Sequence, residues 1–168
     1  MKIPEKISEK IIYNNVWRKI ILKTLKTKSW LLHEYPINSH IWPKSATMIF
    51  PITQDWEVIY CKEWRAWIEG FVYNFPIWMQ EPDISPENNA IKELKEEVWC
   101  VSNNISYLWE TIAWNFDTTI VNYFFADKCY LWENNLEDWE YIEIQKCSLA
   151  EFEQKIISWE IKALFVLP

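Results

Sequence analysis

The sequence predicts a mixed α+β domain, and three observations carry that prediction. Strand-like runs lie on both sides of one central helical pattern, and the breaks between them have hairpin chemistry. Half of the 168 residues are apolar, which is enough to bury a core without disulfide or metal staples. No internal repeat, low-complexity tract or linker divides the chain. The expectation is one domain over 1–168, with N-terminal strands in 1–45 and a core in 46–168.

The first strand-like runs are 16–27, 31–37, 46–53 and 57–64. The last two, ATMIFPIT and EVIYCKEW, are joined at Gln54-Asp55-Trp56 and read as a hairpin. A helix follows from Pro86, a favoured first-turn residue, with Ser85 as its cap. Runs at 105–112, 119–126 and 141–146 come next, and Ser148 caps a closing helix, LAEFEQKII.

Charge and cysteine spacing exclude several classes of function. A net charge of −7 argues against binding a nucleic-acid backbone, which needs a basic face. Lys19, Lys23, Lys26 and Lys28 alternate with Ile and Leu, as on the wet side of a strand. Cys61, Cys100, Cys129 and Cys147 show no C-x-x-C spacing, so neither a zinc site nor a disulfide framework is expected. His33 and His40 are isolated and read as ordinary strand or loop residues. The sequence shows no signal peptide and no apolar run of membrane length, which makes a reduced cytoplasm the expected location and a membrane partner unexpected.

The chemistry lies in the stretch 76–100, PIWMQEPDISPENNAIKELKEEVWC. At about 100° per residue, Glu93, Glu96 and Glu97 fall within roughly a 100° arc of the helix. Ala90, Ile91, Leu94 and Val98 fill the arc beside it. Two readings are open for the acidic face. It is either a solvated surface screened by Lys92 and Lys95, or a site for a hard divalent cation, which takes carboxylate oxygens and keeps waters and substrate phosphates as further ligands.

This segment resembles the Nudix box, G-x5-E-x7-R-E-U-x-E-E-x-G-U, where U is aliphatic. The chain matches at Glu93, Leu94, Glu96 and Glu97, and Lys92 stands for the Arg. It departs at Ile84, which occupies the place of the first Glu, and at Trp78 and Trp99, which occupy places of Gly. The resemblance implies an α/β/α sandwich with a mixed sheet and extra N-terminal strands. It also implies a magnesium site, manganese being the alternative, held by Glu93, Glu96, Glu97 and the backbone carbonyl of Ile77. Glu81 and Asp83, close to Ile84 in sequence, are the acids expected to compensate in part for the missing carboxylate.

The departures at glycine belong to a wider pattern. An average chain is about 7% Gly, or roughly 12 residues at this length, yet this one has 1, Gly70, beside 13 Trp. Trp99 stands where a helix ends in a left-handed residue, and Trp56 follows Asp55 as Gly does in an Asp-Gly turn. Trp30, Trp139 and Trp159 follow Ser29, Asp138 and Ser158 in similar contexts. Some genetic codes read UGA as glycine and others as tryptophan, so a gene translated under the wrong table gives this pattern. Trp17 and Trp64 sit in strand-like contexts and read as genuine.

Outside the box the chain resembles the ADP-ribose pyrophosphatase branch. The residues are the turn at Ser29-Trp30, Ala46-Thr47 to Phe50-Pro51, Lys62-Glu63-Trp64-Arg65, Phe75-Pro76-Ile77-Trp78 and Ser158-Trp159-Glu160-Ile161-Lys162-Ala163. This implies hydrolysis of a nucleoside diphosphate linked to another moiety, with ADP-ribose giving AMP and ribose 5-phosphate. Arg65 is the expected phosphate or ribose contact, since a guanidinium binds phosphate through paired donors. The general base is expected in the acidic stretch Glu137, Asp138 and Glu140, with Glu140 favoured over Glu137. In this branch N-terminal strands pair two subunits, which implies a homodimer. The alternatives are a Nudix-fold module that binds a nucleotide without cleaving it, and a hydrolase of another sugar nucleotide such as GDP-mannose.

Overall fold

The computed structural model describes residues 3–16, 18–40, 44–65, 69–113, 117–131 and 142–161. The chain forms two compact units, Met1–Ala46 with Glu110–Val121, and Thr47–Trp109 with Asn122–Pro168.

The first unit carries an antiparallel sheet of β1 (Glu5–Asn14), β2 (Arg18–Lys26) and β3 (Leu32–His40), in that order. The predicted run 16–27 is β2 and the run 31–37 is the first part of β3. β1 is not anticipated, because every one of its residues is exposed and no buried face imposes an alternation on its sequence. In the same unit Asp117 closes a turn, accepting from Thr119 N–H at 2.7 Å, and takes the Asn38 amide at 2.7 Å.

The second unit is built on an eight-stranded sheet. Its strands are β4 (Ser45–Thr53), β5 (Glu57–Arg65), β6 (Gly70–Asn74), β7 (Ile77–Met79), β8 (Cys100–Val101), β9 (Asn104–Ile112), β10 (Ile120–Leu131) and β11 (Ile142–Ser148). The path runs β11-β5-β4-β10-β8, with β6 against β5, β7 against β4 and β9 against β10. The pairing of β5 with β11 is unbroken from Ser148↔Glu57 to Ile142↔Glu63, and with β6 from Cys61↔Asn74 to Arg65↔Gly70. Side chains of β5 therefore alternate faithfully between the two faces.

One face takes α1 (Pro86–Val98) and the other α2 (Leu149–Ile157). Ala90, Leu94 and Val98 of α1 bury against Ile49, Ile59, Cys61, Phe124 and Ala126. Their neighbours along the same strands, Phe50, Tyr60 and Tyr123, turn to the opposite face. There Tyr60 packs on Phe152 of α2 at 5.2 Å, Phe75 on Phe152 at 5.5 Å, and Phe50 stacks with Tyr123 at 5.9 Å. A period of two in the strands and 3.6 in the helices thus builds an α/β/α sandwich, the predicted architecture. Among the described residues no helix is long and apolar enough to cross a membrane.

Four tryptophans that the sequence places at turns or a helix end have a left-handed backbone. The described non-glycine residues with positive φ are Trp30, Trp56, Glu69, Asp83, Trp99, Lys128 and Trp159, with φ of 67°, 63°, 51° and 61° at the four tryptophans. All four close a turn or a helix. Trp30 N–H bonds Thr27 O at 3.0 Å, Trp56 N–H bonds Thr53 O at 3.1 Å, and Trp159 N–H bonds Ile156 O at 3.1 Å. Trp99, at the C-cap of α1, donates its N–H to Leu94 O. Trp139 lies outside the described residues.

Candidate active site

Helix α1 is well specified at both ends. The Ser85 hydroxyl accepts from Asn88 N–H at 3.1 Å, Pro86 opens the first turn, and Glu87 lies at the positive end of the helix dipole. Burying Ala90, Leu94 and Val98 against the sheet fixes the rotation of the helix, and this rotation places Glu93 and Glu97 beside the apolar stripe.

Glu93 and Glu97 are one turn apart and only 3% and 8% exposed. The Glu97 carboxylate accepts from Ile77 N–H at 3.0 Å, which ties the helix to β7. Its pKa is nevertheless raised well above the usual carboxylate range. Burial is the main cause and the charge of Glu93 the second, with Glu63 adding to both; the Ile77 hydrogen bond and the Arg65 cation act in the opposite sense. The two buried acids are held close enough for the charge of Glu93 to disfavour ionisation of Glu97.

Glu96 is arranged differently. Its side chain is half exposed and pairs with Lys92 at 3.5 Å, so of the three helix carboxylates two are brought together inside and one stands at the rim. Lys92 also forms an ion pair with Glu81, and both carboxylates raise its pKa. The place of Arg in the box is taken by a lysine that links the helix to the preceding loop.

β5 supplies two further groups. Cys61, Glu63 and Arg65 alternate onto the face that carries α1, and Glu63 and Arg65 form an ion pair in which both side chains are less than one-fifth exposed. Glu63 was not singled out from the sequence. The signal was present, since a residue two before Arg65 in a strand shares its face. Ile77 reaches the site through its N–H, and Trp78, the next residue of β7, is half-exposed. Glu137 and Glu140, like Asp138, lie outside the described residues.

The loop between β7 and α1 is held by side chains whose roles the sequence did not reveal. Gln80 Nε2 donates to Ile84 O at 2.7 Å and to Glu81 O at 3.2 Å, while its Oε1 accepts from Thr47 Oγ1 at 3.2 Å. Asn89 Oδ1, fully buried in α1, accepts from Glu81 N–H at 3.2 Å.

Among the described residues no group of three or more His, Cys, Asp or Glu side chains is placed to hold a metal ion. Carboxylate oxygens are nevertheless the kind of donor a hard divalent cation takes. Magnesium does not need such a group, because it typically binds through one or two carboxylates and keeps water and substrate phosphate as its other ligands. A cation beside Glu97 would offset the unfavourable effect that burial and the charge of Glu93 have on its ionised form.

The fold is that of a Nudix-type α/β/α sandwich. The chain is similar to a solved structure described as the crystal structure of an ADP compounds hydrolase, at a TM-score of 0.76 and 20% identity, over 94% of this chain and 84% of that one. No family model and no curated protein matches the sequence.

Proposed function

We propose that the chain is a Nudix hydrolase of the ADP-ribose pyrophosphatase branch, cleaving a nucleoside diphosphate linked to another moiety. ADP-ribose, giving AMP and ribose 5-phosphate, is the leading substrate. The observation that carries this reading is the buried pair Glu93 and Glu97 on the face of α1 that meets β5. Glu93, Glu97 and the rim carboxylate Glu96 would hold magnesium, or manganese in its place, with the Ile77 carbonyl as a further ligand. When bound, the cation offsets the charge of the diphosphate and lowers the pKa of a water.

The remaining work falls to the protein's own groups. Arg65 binds a phosphate or ribose oxygen, and its ion pair with Glu63 restricts the directions its guanidinium can take. As the new P–O bond forms and the bridging P–O bond breaks, a base must remove the proton of the attacking water. Glu140 fills that role, with Glu137 as the second candidate. β1, exposed along its whole length with Ile7, Ile11 and Tyr13 among its outward residues, is the surface on which a second copy pairs to form a homodimer. The single-domain organisation with a dimerising segment at 1–45 and a catalytic core at 46–168, and a cytoplasmic location, belong to the same reading. Small nucleotides are its ligands, with neither nucleic acid nor membrane as a partner.

Release of AMP from ADP-ribose in magnesium, lost in Glu97→Gln, is the deciding experiment. Binding without product, unchanged in that variant, would replace the hydrolase by a non-catalytic nucleotide-binding module, the reading that Ile84 in the box favours. Turnover of GDP-mannose in preference to ADP-ribose would keep the enzyme and change its substrate.

We also propose that most of the tryptophans are glycines in the organism, through a UGA codon read differently. A left-handed conformation costs a residue with a Cβ about 1–2 kcal/mol and costs glycine almost nothing. Four tryptophans adopt it at positions where turn chemistry asks for glycine. UGG codons at Trp78 and Trp99 would overturn this proposal.

A further inference from the structure

Glu81 is captured at three points. Its N–H is held by Asn89 Oδ1, its carbonyl by Gln80 Nε2, and its carboxylate by Lys92. The same Gln80 amide spans the loop to Ile84 O, and its oxygen is anchored to Thr47 on β4. Four side chains from three elements thus fix the backbone that leads into α1.

From this we infer that protein groups alone hold the loop from Gln80 to Ser85, and that Gln80 is the positioning residue that fixes it against β4 and the start of α1. The inference rests on the metal-site reading for its consequence, but not for its structural content. Gln80 uses donors and an acceptor that keep their strength whether or not the site is charged, and all its partners lie within the protein. Asn89, with no exposed surface, accepts the Glu81 N–H, so exchange of that amide requires this hydrogen bond to break.

Two readouts test this on the full chain. Hydrogen exchange at the Glu81 amide should be equally slow in excess chelator and in saturating magnesium. Gln80→Ala should speed it at least tenfold in both conditions. Magnesium affinity, measured by calorimetry without substrate, should fall about tenfold in Gln80→Ala, the size expected when a group that orients ligands is removed. Thr47→Val, which keeps the shape of the buried side chain and removes only the anchor of Gln80, should shift both readouts in the same direction by less. It also serves if Gln80→Ala fails to fold. Exchange that is fast in chelator and slowed by magnesium in the wild type would overturn the inference, as would unchanged protection in both variants. Absence of turnover with the Glu81 amide still protected would count against the hydrolase and leave the loop inference standing.

Discussion

The Glu97 carboxylate accepts a hydrogen bond from Ile77 N–H at 3.0 Å, so one buried acid both closes the junction of β7 with α1 and faces Glu93 across a helical turn. Glu97→Gln separates these duties. The glutamine oxygen can accept the same N–H, while the negative charge is lost. The variant should fold with unchanged spectroscopic signature and lose about 100-fold or more in AMP release, since a cation's stabilisation of developing charge is worth several kcal/mol. Near-normal turnover in this variant would remove Glu97 from the site.

Arg65 and Glu63 should behave as a unit. Arg65→Lys keeps the positive charge and loses the paired donors, so KM should rise about tenfold or more if the guanidinium grips phosphate. Glu63→Gln should raise KM by less, by loosening the orientation of Arg65. A double-mutant cycle on KM that shows simple additivity would contradict the coupling.

Glycine at the left-handed positions should stabilise the fold. Trp56→Gly and Trp99→Gly should each raise stability by about 1 kcal/mol in urea unfolding, whereas Trp56→Ala and Trp99→Ala should not, because alanine keeps the Cβ that makes φ of 63° and 51° costly. The mass of the protein isolated from its organism provides an independent check, since each exchanged residue lowers it by the difference between the two side chains.

Leu94 is 1% exposed at the centre of the α1 interface. Leu94→Ala should cost about 2–5 kcal/mol by the cavity it leaves. Ser85→Ala, which removes only the cap hydrogen bond to Asn88, should cost about 1 kcal/mol in the same denaturation experiment.

Buried thiols set an alkaline limit on stability. Burial pushes Cys100 up to about 11 and Cys129 up to about 12, against about 8.5 for an unfolded thiol. Above the unfolded value the unfolded chain releases protons that the folded one retains, so their contribution is complete below that pH and is lost as pH rises toward the folded values. The urea midpoint should fall through this alkaline window, and the fall should be shallower in Cys100→Val/Cys129→Val. An identical slope in the double variant would exclude these thiols as its cause.

Elements with a buried face were readable in the linear chain. The Ser85-Pro86 start and the spacing of Ala90, Leu94 and Val98 define α1, and Ser148 with Phe152 defines α2, because a helix packed on one side needs a cap and a stripe. β4 and β5 were readable for the same reason, and Asp55-Trp56 marked their turn. β1 was not readable, since a strand exposed throughout leaves no alternation. β6, β7 and β8 have two to five residues each, too short for a period, and exist because their neighbours in the sheet hold them.

The sequence by itself determined the carboxylate face of α1, since Glu93, Glu96 and Glu97 are placed by helical geometry alone, and it determined that the turns ask for glycine. Only the tertiary structure decided which of those acids lies inside. Rotation of α1 against the sheet buries Glu93 and Glu97 and leaves Glu96 at the rim with Lys92, and sheet register sets Glu63 and Arg65 on the face toward them. Gln80 shows the same division, because its anchor, Thr47, lies 33 residues earlier in the chain. Helical spacing is a local property of consecutive residues, whereas desolvation and cross-element hydrogen bonds depend on which distant segments pack together.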